Sequence, residues 1–297
     1  MKDVNNNKVR LRQIALVAKD LNKTINQLCT TLDAPLVETD PGVGSFGLHN
    51  GLIQVGDCFI EVVAPLPEKS DPLNQTAGGR YINRFGDGGY MVLMQVPDLL
   101  KCEETLVSEY DFKPIHIGGR KFGNFKHPYP RTPQRTPGKD PVPNNAAISG
   151  THFHPKDMGC IIEVTEQHPS EEWLWAGANW IKEFGQYGTS KFSGGLAGCT
   201  IAVNNPEEMC KRWEAGMSLK QNNNIVIGRR LTYEVVTDDG AIIKFRKPLN
   251  KIEDGVVAID IFARDPKMVG TSTVVANVIF NFVAPPAIID TPPASKM

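Results

Sequence analysis

A strand-like segment, a short helix pattern and a later strand carrying one acid among apolar residues occur near the start of this chain, and then recur. Gln13–Leu21 (Q-I-A-L-V-A-K-D-L) leads to Phe59–Val62 (F-I-E-V). Met91–Leu99 (M-V-L-M-Q-V-P-D-L) leads to Ile161–Val164 (I-I-E-V). A weaker third copy runs from Gly198 (G-C-T-I-A-V-N-N-P) to Ala258–Ile261 (A-I-D-I). A single unit of this size cannot bury its own apolar face, so copies must pair or stack, and the fold is read from the repeat first.

Each copy reads as β-α-β-β-β. Residues 10–18 have the apolar alternation of a strand. Asp20 then caps a helix whose Ile25, Leu28 and Leu32 share one face. Val43–Val55 reads as two short strands joined at Asn50-Gly51, a strong hairpin pair, and Cys58–Pro65 as another strand. A link over 66–88 contains a short helix near Gly79–Phe85. In the second copy, Tyr90–Val96 is a strand and Pro97-Asp98-Leu99 opens a helix. Gly118–Asn145 is a long basic loop, and Ile148–His154 and Cys160–Thr165 are strands. Residues 170–184 read as an amphipathic helix capped by Ser170. In the third copy, the strand Leu196–Val203 precedes a helix begun at Pro206, with Met209, Trp213 and Met217 on one stripe, and further strands follow. The expected organisation is α+β. Paired modules occupy 8–168 (8–66 and 86–168), a linking helix 169–192, a third module 193–285 and a flexible tail 286–297.

Of 297 residues, 41% are hydrophobic, enough for a substantial core, and the formal net charge is -1. That balance points to no nucleic-acid groove and no anionic membrane surface. No stretch approaches the roughly 20 apolar residues of a membrane span. The opening residues lack a signal-peptide core. The six cysteines are scattered, without a C-x-x-C pair, which argues against a zinc or disulfide framework. The expectation is a cytoplasmic protein acting on a small molecule, with a homodimer as its assembly.

Tandem β-α-β-β-β units with an acid in the last strand resemble the vicinal oxygen chelate superfamily over roughly residues 10–265. The resemblance is carried by R-L-R-Q-I-A-L-V-A-K-D-L, by R-F-G-D-G-G-Y-M-V-L-M-Q-V-P-D-L, and by T-H-F-H-P-K-D-M-G followed by W-L-W-A-G-A-N-W. The last two segments are similar to a glyoxalase-like branch whose reaction is poorly defined. The resemblance implies mixed sheets curled into a cup. It also implies lyase or isomerase chemistry through an enolate- or alkoxide-like intermediate, assisted by a divalent metal such as Zn, Ni, Mn or Fe. An extradiol-type ring-cleaving dioxygenase and a non-catalytic binding or resistance protein are the alternatives within the same superfamily.

Carried over position by position, the resemblance places metal ligands at Gln13, Glu61 and Glu163. Met91 stands where a fourth ligand is expected, and a thioether suits a hard cation poorly. His152 is the candidate to replace it, with His154 two residues on and on the same side of the strand. Both histidines also have plain readings, as a sheet residue and a turn cap. Glu61 and Glu163 are the proton-moving candidates with His152, although an acid in such a strand can equally face solvent. Gly198, at the first-strand position of the third unit, has no side chain to ligate with. Arg120, His127 and Tyr129, with His154, are candidate substrate contacts. The 118–145 loop that carries the first three is either a lid for an anionic substrate or a solvated surface loop. Trp173, Trp175 and Trp180 either pack the predicted helix on the sheet or wall the pocket.

Overall fold

The computed structural model describes residues 8–67, 72–121, 146–177, 193–222, 225–227, 230–250 and 253–286. The first half of the chain builds strands β1 (Arg10–Val17), β2 (Leu36–Glu38), β3 (Leu48–Val55), β4 (Cys58–Pro65), β5 (Gly88–Gln95), β6 (His116–Lys121), β7 (Ala147–Phe153) and β8 (Ile161–His168). With them are helices α1 (Leu21–Leu32), α2 (Pro72–Gln75), α3 (Ala77–Phe85), α4 (Leu99–Tyr110) and α5 (Pro155–Met158). The second half supplies β9 (Ser193–Ala202), α6 (Pro206–Met217), β10 (Lys220–Gln221), β11 (Ile225–Ile227) and β12 (Arg230–Val236). It ends with β13 (Ile242–Arg246), β14 (Gly255–Ala263), β15 (Ser272–Val275) and β16 (Val278–Val283).

The repeat survives in the caps. Asp20 accepts from the Lys23 amide at the start of α1, and Asp98 accepts from the Lys101 amide at the start of α4. Each carboxylate satisfies an amide that a helix start leaves without a partner. Both helices stop at an aspartate in the left-handed region, Asp33 (φ 48°) and Asp111 (φ 54°).

The first sheet has the order β2-β3-β4-β1-β5-β8-β7-β6. β1 runs parallel to β4, β5 runs parallel to β8, and β1 and β5 meet antiparallel. Two like half-sheets therefore join edge to edge and curl into a half-barrel. Strand alternation sorts the residues. Ile14, Leu16, Ile60, Val62, Val92, Met94, Ile162 and Val164 enter the main apolar core. Gln13, Glu61, Met91, Leu93, Glu163 and His152 line the opposite, concave face.

Three local expectations are corrected. Residues 48–55 form one continuous strand through Asn50-Gly51, with no hairpin there, and Pro41–Phe46 is a 3-10 turn. A Cβ at Gly51 would lie 2.5 Å from Ile25 Cδ1 on α1, which would have to move to admit it; close packing, not a turn, uses the glycine. Nor does the predicted helix begin at Ser170. Through Gly177 the chain is a strap across the cup, with only a 3-10 turn at Leu174–Ala176. Its amphipathic pattern comes from side chains that reach down into the cup. The rest of that expected helix, with Trp180, lies outside the described residues, as do His127, Tyr129 and the tail beyond 286. The start of the expected basic loop, Gly118–Lys121, is part of strand β6.

The second sheet has the order β10-β12-β13-β9-β14-β16-β15. Here the strand running parallel to β9 is β13, while β14 meets β9 antiparallel, as β5 meets β1. Asp260 therefore does not occupy the last-strand position of the third copy. Lys244 does, because it follows the partner of Gly198 by two residues just as Glu61 follows the partner of Gln13. β14 begins a fourth, shortened copy, in which a 3-10 turn at Pro266–Met268 replaces the helix and β16 runs parallel to β14. Core residues of both sheets form one apolar cluster, with Trp213 and Phe245 at its second-sheet end.

Candidate functional site

The concave face of the first sheet encloses a cavity of about 540 Å³. Its floor is Ala15, Met91 and Leu93, and its mouth carries Val43, Phe46, Ile115 and Ile117. Polar groups reach it from both half-sheets. Glu61 on β4 and Glu163 on β8 are separated by β1 and β5, three strand intervals or roughly 14 Å along the sheet, which the curl shortens.

Glu61 is buried. Its Oε1 accepts from Asn50 Nδ2 at 2.6 Å and its Oε2 from Gln13 Nε2 at 2.9 Å. Burial pushes its carboxyl up to about 7, against the smaller opposing effect of those two hydrogen bonds. Glu163 is as deeply placed but differs in charge preference. Burial alone would raise it; His152, Thr165 and Trp175 together outweigh that and hold it below the ordinary carboxylate range. His152 Nε2 lies 2.6 Å from Glu163 Oε2. Thr165 Oγ1 and Trp175 Nε1 both donate to Oε1 at 2.6 Å. Two carboxyls in one pocket with environments pushing them apart is the arrangement that assigns an acid and a base.

The strap 170–177 ties the two halves together. Trp173 Nε1 donates to Gln13 Oε1 at 2.8 Å, while Trp175 holds Glu163. Beneath Trp173 the fully buried Arg12 guanidinium lies 5.0 Å from the ring centroid and donates to Gln95 Oε1. Its Nε and Nη2 find no protein acceptor among the described residues. Burial and the nearby Arg10 lower its pKa to about 10. Arg120 is ion-paired with Asp40, donates to the Leu174 carbonyl at 2.9 Å, and sits 4.7 Å over the Trp175 ring. Of the expected substrate contacts, Arg120 does line the cavity, but its guanidinium also braces the strap.

His154 is not brought to the cavity. It is exposed and caps α5, its Nδ1 accepting from the Lys156 amide at 3.1 Å. Reading from the sequence missed Asn50, Thr165 and Asp40, and did not assign His116, whose ring lies 4.9 Å from that of His152. Thr165 was findable, being two residues after Glu163 on the same face. Asn50 was hidden by the false hairpin. In the second sheet the equivalent place holds an ion pair, Lys244 Nζ to Asp260 Oδ2 at 2.7 Å, with Asn281 donating to Oδ1 at 2.8 Å.

The expected metal ligands do not fit a divalent cation. An indole N–H can only donate, so Gln13 must turn its oxygen to Trp173 and its nitrogen, which has no lone pair to give, toward Glu61. The Glu61 and Glu163 oxygens all carry hydrogen bonds. Met91 offers only a soft thioether. Among the described residues no group of three or more His, Cys, Asp or Glu side chains could hold a metal. No helix among them is long and apolar enough to cross a membrane.

No family model matches this chain, and no curated protein matches its sequence. Among solved structures it is similar to a hypothetical protein from Staphylococcus aureus, at 10% identity and a TM-score of 0.61, covering 93% of this chain and 100% of that one. It is also similar to a mutant of 4-hydroxymandelate synthase from Streptomyces coelicolor, at 11% identity and a TM-score of 0.55, covering 86% of this chain and 71% of that one. That synthase is a vicinal oxygen chelate protein, and at this identity the likeness is of fold alone. Nothing in it selects the glyoxalase-like branch.

Proposed function

We propose that the cup of the first sheet is the active site of an acid–base enzyme that moves a proton at a carbon beside a carbonyl of a small oxygenated organic substrate, as a lyase or isomerase of the vicinal oxygen chelate type. The observation that carries this reading is the Glu163–His152 pair, 2.6 Å apart at one side of a largely apolar cavity that Glu61 enters from the other half-sheet.

The roles follow from the environments. Glu163, held ionised, is the base that takes the carbon proton. Its imidazole neighbour donates to the carboxylate and keeps it in place. Glu61, whose neutral form is favoured by burial, is the acid that donates to the substrate oxygen as negative charge develops there. The apolar floor keeps water from that charge, so each hydrogen bond counts for more than it would in water. Glu163 can then return its proton to carbon while Glu61 recovers its own from the oxygen, so both groups end the cycle as they began it. No step is assigned to a metal, because the donor set does not fit one.

Glu163→Gln and His152→Asn, compared with the wild type over a panel of small 2-oxo, 2-hydroxy and thioester substrates, test the assignment. Turnover falls on the order of 100-fold or more, with the circular dichroism spectrum unchanged. Full activity in folded Glu163→Gln sinks the proposal.

A further inference from the structure

We infer that Trp173 is a positioning residue that makes Gln13 a hydrogen-bond donor and so denies the cup a cation site. The inference deepens the acid–base reading and rests on it for its functional meaning.

Gln13 stands centrally on the concave face, next to Glu61 and on the strand where the two half-sheets meet. A glutamine side chain has one accepting end and one donating end. With its oxygen toward Glu61, the amide would accept from the protonated acid, or face an ionised carboxylate oxygen with another lone pair and close on a cation. With its nitrogen toward Glu61, the pair is a plain hydrogen bond. Nothing in Gln13 itself chooses between these orientations. Trp173 chooses, because its Nε1–H lies 2.8 Å from the far end of the amide and can only donate.

The indole is well placed to enforce the choice. Trp173 is fully buried. Arg12 lies against its ring, and Arg12 and Gln95 reach the Ser170 carbonyl three residues earlier, Gln95 Nε2 at 2.7 Å. On its other side the Gln167 amide oxygen accepts from the Leu174 backbone at 3.0 Å. The strap is thus pinned on both sides of the indole. Trp175 works the same way on the other half-sheet, donating to Glu163 Oε1. One strap therefore supplies donors to both halves of the cup, and each donor competes with a cation for the oxygen it faces.

Mn²⁺ binding, followed by the electron paramagnetic resonance signal of the free ion, tests this without reference to turnover. Wild type, Trp173→Phe and Gln13→Glu are titrated. The wild type is expected to take up no stoichiometric Mn²⁺. Trp173→Phe frees the amide to turn, and Gln13→Glu keeps an acceptor for Trp173 while placing a second carboxylate oxygen beside Glu61. Each is expected to bind one Mn²⁺ about tenfold or more tightly than the wild type, the size typical of changes around a metal site. In each variant that gain is expected to vanish when Glu61→Gln is added. Should Trp173→Phe fail to fold, Gln13→Glu carries the test alone. One-to-one uptake by the wild type that is lost in Glu61→Gln overturns the inference, and so does a folded Trp173→Phe or a folded Gln13→Glu that binds no better than the wild type. Loss of the acid–base reading would appear instead as absent proton transfer in a protein that still excludes the ion.

Discussion

His152 Nε2 lies 2.6 Å from Glu163 Oε2, and the two residues are direct cross-strand partners on β7 and β8. The backbone register, rather than a flexible loop, sets this contact. A pair built on paired strands holds its geometry without a large entropic cost at the moment of reaction. His152 also helps to hold Glu163 below the ordinary carboxylate range, against burial. His152→Asn is therefore expected to shift the acidic limb of the kcat/KM pH profile upward, because Glu163 loses a partner that favours its ionised form. A downward or absent shift in a folded variant counts against the pair.

Glu61 makes a separate prediction about stability. Its carboxyl rises from an ordinary 4.5 to about 7 in the fold, so between those values the folded state holds more protons than the unfolded one. The contribution of this group is fully present below about 4.5 and is lost as pH rises through about 7. The difference is on the order of 3 kcal/mol. Thermal unfolding of wild type and Glu61→Gln at pH 5 and pH 8 reads it. The wild type should lose more of its Tm between the two pH values than the variant does. Equal losses contradict the assignment.

Gly150 is expected to be as sensitive as a catalytic position. A Cβ there would lie 2.4 Å from Glu163 Oε1 and 2.8 Å from its Cδ, so Gly150→Ala must push the carboxylate aside. A misplacement of about 1 Å costs on the order of 100-fold in rate. The steady-state kcat of Gly150→Ala should fall by that order. An unchanged kcat would show that the position of Glu163 does not matter.

Chelation supplies a further check. Because Gln13, Glu61, Glu163 and His152 do not present a cation site, activity after dialysis against EDTA should match that of untreated enzyme. Added Mn²⁺, Zn²⁺ or Ni²⁺ should not raise it. Loss on dialysis with recovery on adding one of these ions would return the chemistry to a metal.

Much of the first sheet was legible because its repeat is written in strand alternation and in two matching aspartate caps. The same repeat located Glu61 and Glu163 on one face of one sheet. It misled at Asp260, since an acid among apolar residues looks alike on either strand beside β9, and only pairing tells β13 from β14. The Asn50-Gly51 pair looked like a turn because its local chemistry is that of a turn, while the close approach of Gly51 to Ile25 is tertiary. The strap was the largest loss. Trp173 and Trp175, two apart, project toward the cup from an irregular segment whose course depends on tertiary partners as distant in sequence as Gln13, and no local period records that.

The most direct test is solvent exchange. Wild-type protein in D₂O with EDTA, incubated with small 2-oxo, 2-hydroxy and thioester compounds, should exchange the proton beside the carbonyl of at least one of them, read as loss of that proton signal by NMR. Folded Glu163→Gln should not. Exchange that persists at the wild-type rate in Glu163→Gln, or no exchange with any compound by the wild type, would contradict the account.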